Sequence, residues 1–335
     1  MTIITESGKF MENFYLIDTE QFLNKRITTV FCYWDGENCY LIDIGTSDNV
    51  QTILRFLKKN NIHLSKVKGL FLTHYHFDHG GGSTKLWKLI HKKVENSNFK
   101  IITTIETKEK LQHAETHVIG AKTTFGNFVG EMQPIPADLE KDAYEIIPFD
   151  ANYPLSSTEK INIRLISTPG HCNDHCSPTI FQNGNPIFCF AGEASGCLYN
   201  GSELLSQPTS MPPNFQFEIY MISLEKLIDL NPESMGFCHF GVISGKIDVQ
   251  TFLIGHKKYM IDFRDAVIDL YKKNQSTRFI IENLKDYFFN DEKFIDKYYR
   301  ELDNHTKFLS NLRLALTYGM MVSLGFRKPK YELKK

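Results

Sequence analysis

The stretch that most constrains this chain is residues 74–79, which read His-Tyr-His-Phe-Asp-His. They follow the apolar run Val67–Leu72, which predicts a buried strand, and precede the turn Gly80–Ser83 and a helical pattern from Thr84 to Val94. Histidine is a common metal ligand, and three of them beside a carboxylate suit zinc, iron or manganese. A solvated polar loop is the alternative, but it leaves the density of ligand side chains unexplained. We therefore predict a metal site at a strand–turn–helix junction of an α/β protein.

Three more candidate ligands follow predicted strands in the second half of the chain. They are His171 after the alternating segment 161–166, Glu193 after the apolar segment 186–192, and His239 within segment 235–241. Polar side chains at the ends of buried strands can share one cleft. Together with residues 74–79 they make a full ligand set, and this prediction follows from the pattern alone.

A family resemblance rests on two of these stretches. Residues 74–79 match the His-x-His-x-Asp-His signature of the metallo-β-lactamase superfamily, and residues 41–45, Leu-Ile-Asp-Ile-Gly, resemble a strand of the same family. The resemblance covers about residues 27–245. It implies an α/β fold, the metallo-β-lactamase αββα sandwich. We predict a catalytic domain over residues 1–250 and a helical C-terminal cap or winged-helix-like extension over residues 251–335.

The resemblance also implies two divalent metal ions, with Zn2+ favoured and iron or manganese as alternatives. The implied ligands are His74, His76 and His171 for the first metal, and Asp78, His79 and His239 for the second. Glu193 occupies the position at which the family usually has an aspartate that bridges both metals. In such a site a metal-bridging hydroxide attacks the substrate, and Asp78 is the candidate to orient the attacking water or accept its proton.

Asp43 and His175 are predicted to support the ligands from behind. In the family an aspartate at this strand end orients a ligating histidine, and a strand-end aspartate that faces water is the alternative for Asp43. His175 lies four residues after His171, where family members often carry a structural histidine.

The cysteines near the candidate ligands are expected to be packing residues. Cys172 and Cys176 are small buried residues in this interpretation, and not ligands. Cys238 is adjacent to His239 on a predicted strand, so it is expected to point to the opposite face.

The segment 106–140 is expected to form a substrate-facing loop or a short helix that walls the cleft. Within it, His113 and His117 are four residues apart, which on one helix places them on the same face. Substrate contact by these two histidines is a hypothesis at this stage.

The last third of the chain has helical periodicity in three blocks, 259–271, 277–288 and 306–324, with a plausible helix start at 304–306. Lys and Arg outnumber Asp and Glu there, but without a concentrated stripe that would favour a nucleic-acid partner. Apolar faces of such helices fit a cap over the core or a partner subunit, so a homodimer is compatible with the pattern.

Composition narrows the class of protein. The formal net charge is -1, and the seven cysteines are irregularly spaced, which favours reduced thiols over a disulfide scaffold. We see no secretory signal and no apolar run long enough to cross a bilayer, so the expected location is the cytoplasm, without a membrane partner.

Four functions compete. The first is a dinuclear hydrolase of a small ester, thioester, lactone or sulfate ester. The second is an iron-dependent oxidoreductase of the same fold, supported by Glu193 in place of the usual aspartate. The third is an RNA-processing nuclease that uses the basic C-terminal helices, and the fourth is a binding protein without turnover. The identity of the bound metal distinguishes the hydrolase from the iron-dependent oxidoreductase. Binding of RNA that depends strongly on salt would favour the nuclease.

Overall fold

The computed structural model of the protein describes residues 3–156, 160–198, 207–284 and 308–329. Two seven-stranded sheets form its centre. The first sheet has the spatial order β2 (Gly8–Met11), β3 (Phe14–Asp18), β4 (Thr29–Trp34), β5 (Cys39–Ile42), β6 (Val67–Phe71), β7 (Lys100–Thr103) and β8 (Tyr144–Ile146). The second has the order β1 (Ile3–Ile4), β14 (Gly241–Ser244), β13 (Ser234–Phe237), β12 (Asn185–Phe190), β11 (Cys176–Gln182), β10 (Ile161–Ser167) and β9 (Tyr153–Pro154).

Helices cover the outer faces of both sheets. Their bounds are α1 (Val50–Lys59), α2 (Ser83–Lys93), α3 (Ile105–Gln112), α4 (Glu115–Phe125), α5 (Glu140–Ala143), α6 (Phe217–Leu230), α7 (Lys246–Lys273), α8 (Thr277–Asn283) and α9 (Phe308–Ser323). Strands β5 to β8 are parallel, as are β12 and β13, and the other neighbours pair antiparallel.

Strand β4 shows how the sequence specifies this layering. Its residues from Thr29 to Tyr33 are all buried, because both faces of the strand are covered. Val30 and Cys32 pack with the residues of α1 and α2, whereas Phe31 and Tyr33 pack with the second sheet. Residues of β12 and β13 pack on α6 and on the C-terminal helices. The predicted αββα sandwich with helical C-terminal elements is therefore confirmed.

Helix α1 follows the segment that leaves β5. It starts at Val50 and buries Val50, Ile53 and Leu57 on one face. Before the helix, the Ser47 hydroxyl accepts a hydrogen bond from the backbone N–H of Glu131 (2.9 Å). This serine thus ties the segment before α1 to the segment after α4.

The segment 106–140 is more helical than the sequence suggested. It contains most of α3, all of α4 and the start of α5, instead of a loop or one short helix. The apolar pattern of α4 is weak, since no residue of this helix is fully buried. Periodicity was therefore a poor guide here.

The C-terminal helices share a core with the second sheet. Helix α7 begins directly after β14, and the predicted boundary at residue 250 falls in its early turns. Residues of α7, α8 and α9 pack in one cluster with β12 and β13. The division into two domains stays a prediction. Residues 285–288 and 304–307 of the predicted blocks and of the predicted helix start lie outside the described residues. Within the described ranges, no helix has the length and apolar character that a membrane crossing requires.

Candidate metal centre

The candidate ligands lie on four connections at the same edge of the two sheets. Residues 74–79 follow β6, His171 lies between β10 and β11, Glu193 follows β12, and His239 lies between β13 and β14. Gly81 allows the first connection to turn tightly, because a Cβ there would lie 2.0 Å from the carbonyl oxygen of Phe77.

The first ligand group consists of His74, His76 and His171. Nδ1 of His76 lies 3.0 Å from Nε2 of His171, and the His74 ring centroid lies 4.5 Å from that of His76. Thr73 Oγ1 lies 2.9 Å from Nδ1 of His74, and the carbonyl oxygen of Thr209 lies 2.8 Å from Nδ1 of His171. The remote nitrogens of these two rings are therefore held by hydrogen bonds.

The pKa values of the first ligand group are all lowered. Burial is the main cause for each ring, and neighbouring imidazoles add to it for His74 and His76. For His171 burial lowers the pKa although Glu193 opposes it. These rings are neutral at neutral pH, which is the state that binds a metal ion.

The second ligand group consists of Asp78, His79, Glu193 and His239. Oε1 of Glu193 lies 3.2 Å from Nε2 of His239 and 3.6 Å from Nε2 of His79. Oδ2 of Asp78 lies 3.6 Å from Nε2 of His239, and its Oδ1 lies 4.0 Å from Nε2 of His79. The first and second groups adjoin, since Oε2 of Glu193 lies 4.0 Å from Nδ1 of His171.

Carboxylates dominate the electrostatics of the second ligand group. Burial alone would lower the pKa of His79, but Asp78 and Asp43 raise it well above its ordinary value. Burial likewise opposes charge on His239, yet Glu193 raises its pKa. The pKa of Glu193 is raised by burial, but the surrounding histidines bring it well below its usual range. Opposite charges thus compensate each other in this half of the site.

Two orphaned atoms test whether the site fits metal ions. Nε2 of His74 and Nε2 of His79 are buried and have no hydrogen-bond partner within the described part of the chain. Buried polar nitrogens are rarely left without a partner, and a cation at the centre of these groups supplies one. The donor set of imidazoles and carboxylates also fits divalent Zn, Fe or Mn.

Asp43 is buried and lies behind both ligand groups. Its side chain is 1% exposed, so the alternative of an aspartate facing water is wrong. Its Oδ2 lies 2.7 Å from Nδ1 of His79, and it accepts hydrogen bonds from the N–H and the hydroxyl of Thr73 (2.8 Å each). Because Thr73 also contacts His74, Asp43 reaches one histidine of each group.

His175 supports the backbone of Glu193. Nε2 of His175 accepts a hydrogen bond from the Glu193 N–H (2.9 Å), and its Nδ1 donates to the carbonyl oxygen of Thr168 (3.0 Å). Burial, aided by His171, lowers the pKa of His175 to about 3, so the ring is neutral and able to accept. Gly192 permits this approach, since a Cβ there would lie 2.5 Å from Nε2 of His175.

Two cysteines lie closer to the candidate ligands than expected. Sγ of Cys172 lies within 4.8 Å of ligand atoms of the first group, and Sγ of Cys238 within 4.8 Å of atoms of His79, Glu193 and His239. The expectation that Cys238 points away is wrong because β13 ends at Phe237, so strand alternation does not extend to it. Its thiol donates to the carbonyl oxygen of Gly192 (3.1 Å). Cys176 is buried and bonds to backbone oxygens, as a packing residue would.

Asp174 gave no sequence signal in this region, and the sequence offered His117 only as a hypothetical substrate contact. Asp174 accepts hydrogen bonds from the N–H of Tyr75 (3.1 Å) and from Lys110 (2.7 Å), and so joins the connection after β6 to the one after β10. His117 stacks on the ring of His76. The expectation that His113 and His117 share one helix face is wrong, because α3 ends at Gln112 and α4 begins at Glu115.

Comparison with known proteins gives one consistent result. The sequence model of the metallo-beta-lactamase superfamily matches residues 23–239. The metallo-beta-lactamase fold-containing protein ST1585 of Sulfurisphaera tokodaii is 29% identical over 248 residues, which are 73% of this chain and 82% of that protein. The beta-lactamase-like protein 2 homolog of Drosophila melanogaster is 25% identical over 230 residues, which are 69% of this chain and 64% of that protein.

Two solved structures share the fold. The crystal structure of ST1585 from Sulfolobus tokodaii superposes with a TM-score of 0.64 at 20% sequence identity, covering 92% of this chain and 98% of that one. The metallo-beta-lactamase family protein TTHA1429 from Thermus thermophilus gives a TM-score of 0.60 at 15% identity, and 94% of each chain is covered. At these identities the likeness concerns the fold alone.

Proposed function

The chain belongs to the metallo-beta-lactamase superfamily, and on this premise we propose that it is a hydrolase that depends on two divalent metal ions. The observation that supports this most directly is the pair of adjoining ligand groups with the two orphaned nitrogens of His74 and His79. Structural zinc sites are closed by four ligands, whereas a catalytic centre keeps a position for water or substrate. Asp78 is 17% exposed, so solvent reaches the second group there.

Each ligand group would hold one of the two ions. His74, His76 and His171 offer three neutral imidazoles to the first ion, and Asp78, His79 and His239 form the set for the second. Glu193 lies between the groups: its Oε1 is 3.2 Å from Nε2 of His239, and its Oε2 is 4.0 Å from Nδ1 of His171. We propose that this carboxylate bridges both ions.

The residues around the centre would orient the reaction. When bound, the divalent ions lower the pKa of water and stabilise negative charge that develops on the substrate. Asp78 has the more exposed carboxylate of the second group, and its Oδ2 is placed to accept a proton from the attacking water. Asp43 and His175 hold His79 and the Glu193 backbone in position meanwhile.

The proposed substrates are small molecules with an ester, thioester, lactone or sulfate ester group. All four present an electrophilic centre that water can attack without a nucleophilic serine or cysteine. No covalent intermediate with the chain is required, and the buried thiols fit that proposal, since burial raises the pKa values of Cys172 and Cys238 well above their ordinary value.

Elemental mass spectrometry on protein purified without added metal or chelator tests the proposal. We expect two zinc or manganese ions per chain, with hydrolysis of at least one of these substrate classes that is abolished by chelation and restored by metal. Absence of bound metal even after reconstitution would overturn the proposal.

Iron would support a second candidate, an oxygen-dependent oxidoreductase of the same fold. The observation in its favour is Glu193, which is one methylene longer than aspartate and is 6% exposed between the ligand groups. Bound iron together with substrate-dependent oxygen consumption is the expected result for this candidate. Full hydrolytic activity of a zinc-only preparation would contradict it.

A further inference from the structure

The three histidines of the first ligand group are oriented in different ways. Nδ1 of His74 is held by the hydroxyl of Thr73, and Nδ1 of His171 by the carbonyl oxygen of Thr209. For His76, Nδ1 faces His171, and none of the described residues makes a hydrogen bond to its Nε2. Its ring is also half-buried, while the other two are buried. A different device is therefore needed to fix the ring plane of His76.

His117 of α4 lies directly against this ring. The centroids of His76 and His117 are 4.5 Å apart, and their planes differ by only 3°. Nε2 of His117 also accepts a hydrogen bond from the backbone N–H of Phe77 (3.1 Å). Tyr75 packs at 59° to the same ring, with centroids 4.8 Å apart. One imidazole thus contacts three consecutive residues of the ligand-bearing connection.

The hydrogen bond from Phe77 fixes the tautomer of His117. Because Nε2 accepts the Phe77 N–H, this nitrogen carries no proton, and the proton of the neutral ring lies on Nδ1. A neutral ring can also stack on His76 without the repulsion that a second cation would bring.

Helix α4, which carries His117 near its start, is anchored by contacts at its C-terminal end. Phe125 packs on Phe77 with ring centroids 5.5 Å apart, and Asn311 of α9 donates a hydrogen bond to the carbonyl oxygen of Thr124 (3.1 Å). These contacts and those of His117 join α4 to the ligand-bearing connection and to α9.

We propose that His117 is a positioning residue for the first metal: it fixes the ring plane of His76 by stacking and the Phe77 peptide by accepting its N–H. The inference rests on the metal centre proposed above, but it goes beyond the ligands to a residue that no ligand motif contains. It predicts that α4 sets metal affinity in the first group without contacting the ion.

Three variants separate the two contacts of His117. H117A removes both the stacked ring and the acceptor, H117F keeps an aromatic ring without the acceptor, and H117Q keeps an acceptor without the ring. H63A is the matched control, because His63 is an exposed histidine that precedes β6, whereas the ligand-bearing connection follows the other end of this strand. Circular dichroism and the thermal midpoint show that each variant is folded.

Metal affinity measured by competition with a chromophoric chelator gives the decisive readout. We expect H117A to lower the affinity for the first metal by about 10–100-fold. This is the range found when residues that orient a ligand are removed. H117F and H117Q should fall between H117A and the wild type, and H63A should match the wild type. The absorption spectrum of the Co2+-substituted protein should change in H117A, because the geometry of His76 changes.

The outcomes distinguish this inference from the proposed function. A wild type that binds no metal would overturn both. A wild type that binds two metals, with H117A equal in affinity and in Co2+ spectrum, would overturn only the role of His117. If H117A fails to fold, wild-type affinity in both H117F and H117Q overturns the inference instead.

Discussion

The two ligand groups differ in the charge of what surrounds them. In the first, burial and neighbouring imidazoles lower the pKa values of the histidines, and the contacts that orient them are uncharged. In the second, Asp43, Asp78 and Glu193 raise the pKa values of His79 and His239. The first group therefore rests on neutral hydrogen bonds and stacking, whereas the second depends on paired charges.

This difference explains why removal of one side chain should have unequal consequences. Loss of a neutral imidazole from the first group removes a candidate ligand but leaves no unpaired charge behind. Loss of a carboxylate from the second group leaves buried positive charge without compensation, which is costly. Variants in each group test the comparison, and the effects below are ordered from the largest to the smallest.

Removal of a first-group ligand should have the largest effect on activity. H171A is expected to lose the first metal and to lower turnover by about 10³-fold or more, the scale on which a single strong electrostatic stabiliser acts. The fold should persist, because His171 lies on a connection outside the sheets. Elemental mass spectrometry and hydrolysis rates provide the measurement, with H63A as control. Wild-type metal content in H171A would show that His171 is not a ligand.

Glu193 tests whether one carboxylate joins the two groups. E193A is expected to lower the affinity for both metals, because the Glu193 carboxylate lies between the two groups. E193D retains the charge at a shorter reach, so it should keep metal with reduced activity. Isothermal titration calorimetry of the metal-free protein with zinc gives both affinities. Two undiminished sites in E193A would contradict a bridging role.

Asp43 tests whether charge matters more in the second group. D43N keeps the shape of the side chain but removes the charge beside Nδ1 of His79. We expect the affinity for the second metal to fall by about 10–100-fold. The affinity for the first metal should fall less, since Asp43 reaches His74 only through Thr73. Equal losses at both sites, measured by chelator competition, would remove the contrast between the groups.

Much of the arrangement could be predicted from sequence because its signals are local. Residues 74–79 place four ligand side chains within one connection, and the apolar runs before them and before Glu193 predict buried strands. Helix α6 likewise ends at Leu230, just before Asn231 and Pro232, which together are a local stop signal. The structure brings the predicted ligands together, while their binding of metal stays a prediction.

What could not be predicted depends on contacts between distant segments. His117 lies 40 residues from Phe77, and α4 has no buried face that would have indicated its position. Thr209 contributes a backbone oxygen to His171, and any residue type could supply that atom. Cys238 lies beyond the last residue of β13, where the period-2 rule no longer applies. The sequence therefore indicated the candidate ligands better than the residues that contact and orient them.

The smallest expected effect concerns His256, a buried neutral histidine of α7 behind the turn that carries Glu193. Its Nε2 accepts a hydrogen bond from the hydroxyl of Tyr220 (2.7 Å), and a Cβ on Gly196 would lie 2.4 Å from its Cε1. Burial lowers its pKa to about 3, below the ordinary value of 6.5. A histidine whose pKa is lower in the folded protein makes its full contribution to stability above its pKa in the unfolded chain, about 6.5. This contribution is lost as the pH falls from about 6.5 towards about 3.

H256F should therefore flatten the acid dependence of folding, measured on metal-free protein so that loss of ligated metal does not contribute. At neutral pH the variant should be less stable by about 1–3 kcal/mol, because the Tyr220 hydroxyl loses a buried acceptor. Towards about pH 4.5 the difference from the wild type should shrink. The wild type loses stability there because His256 binds a proton in the unfolded chain and not in the folded one, whereas the variant has no histidine at this position. Urea unfolding at both pH values gives the two free energies of unfolding. A difference that stays constant with pH would mean that His256 is not held neutral in the folded protein.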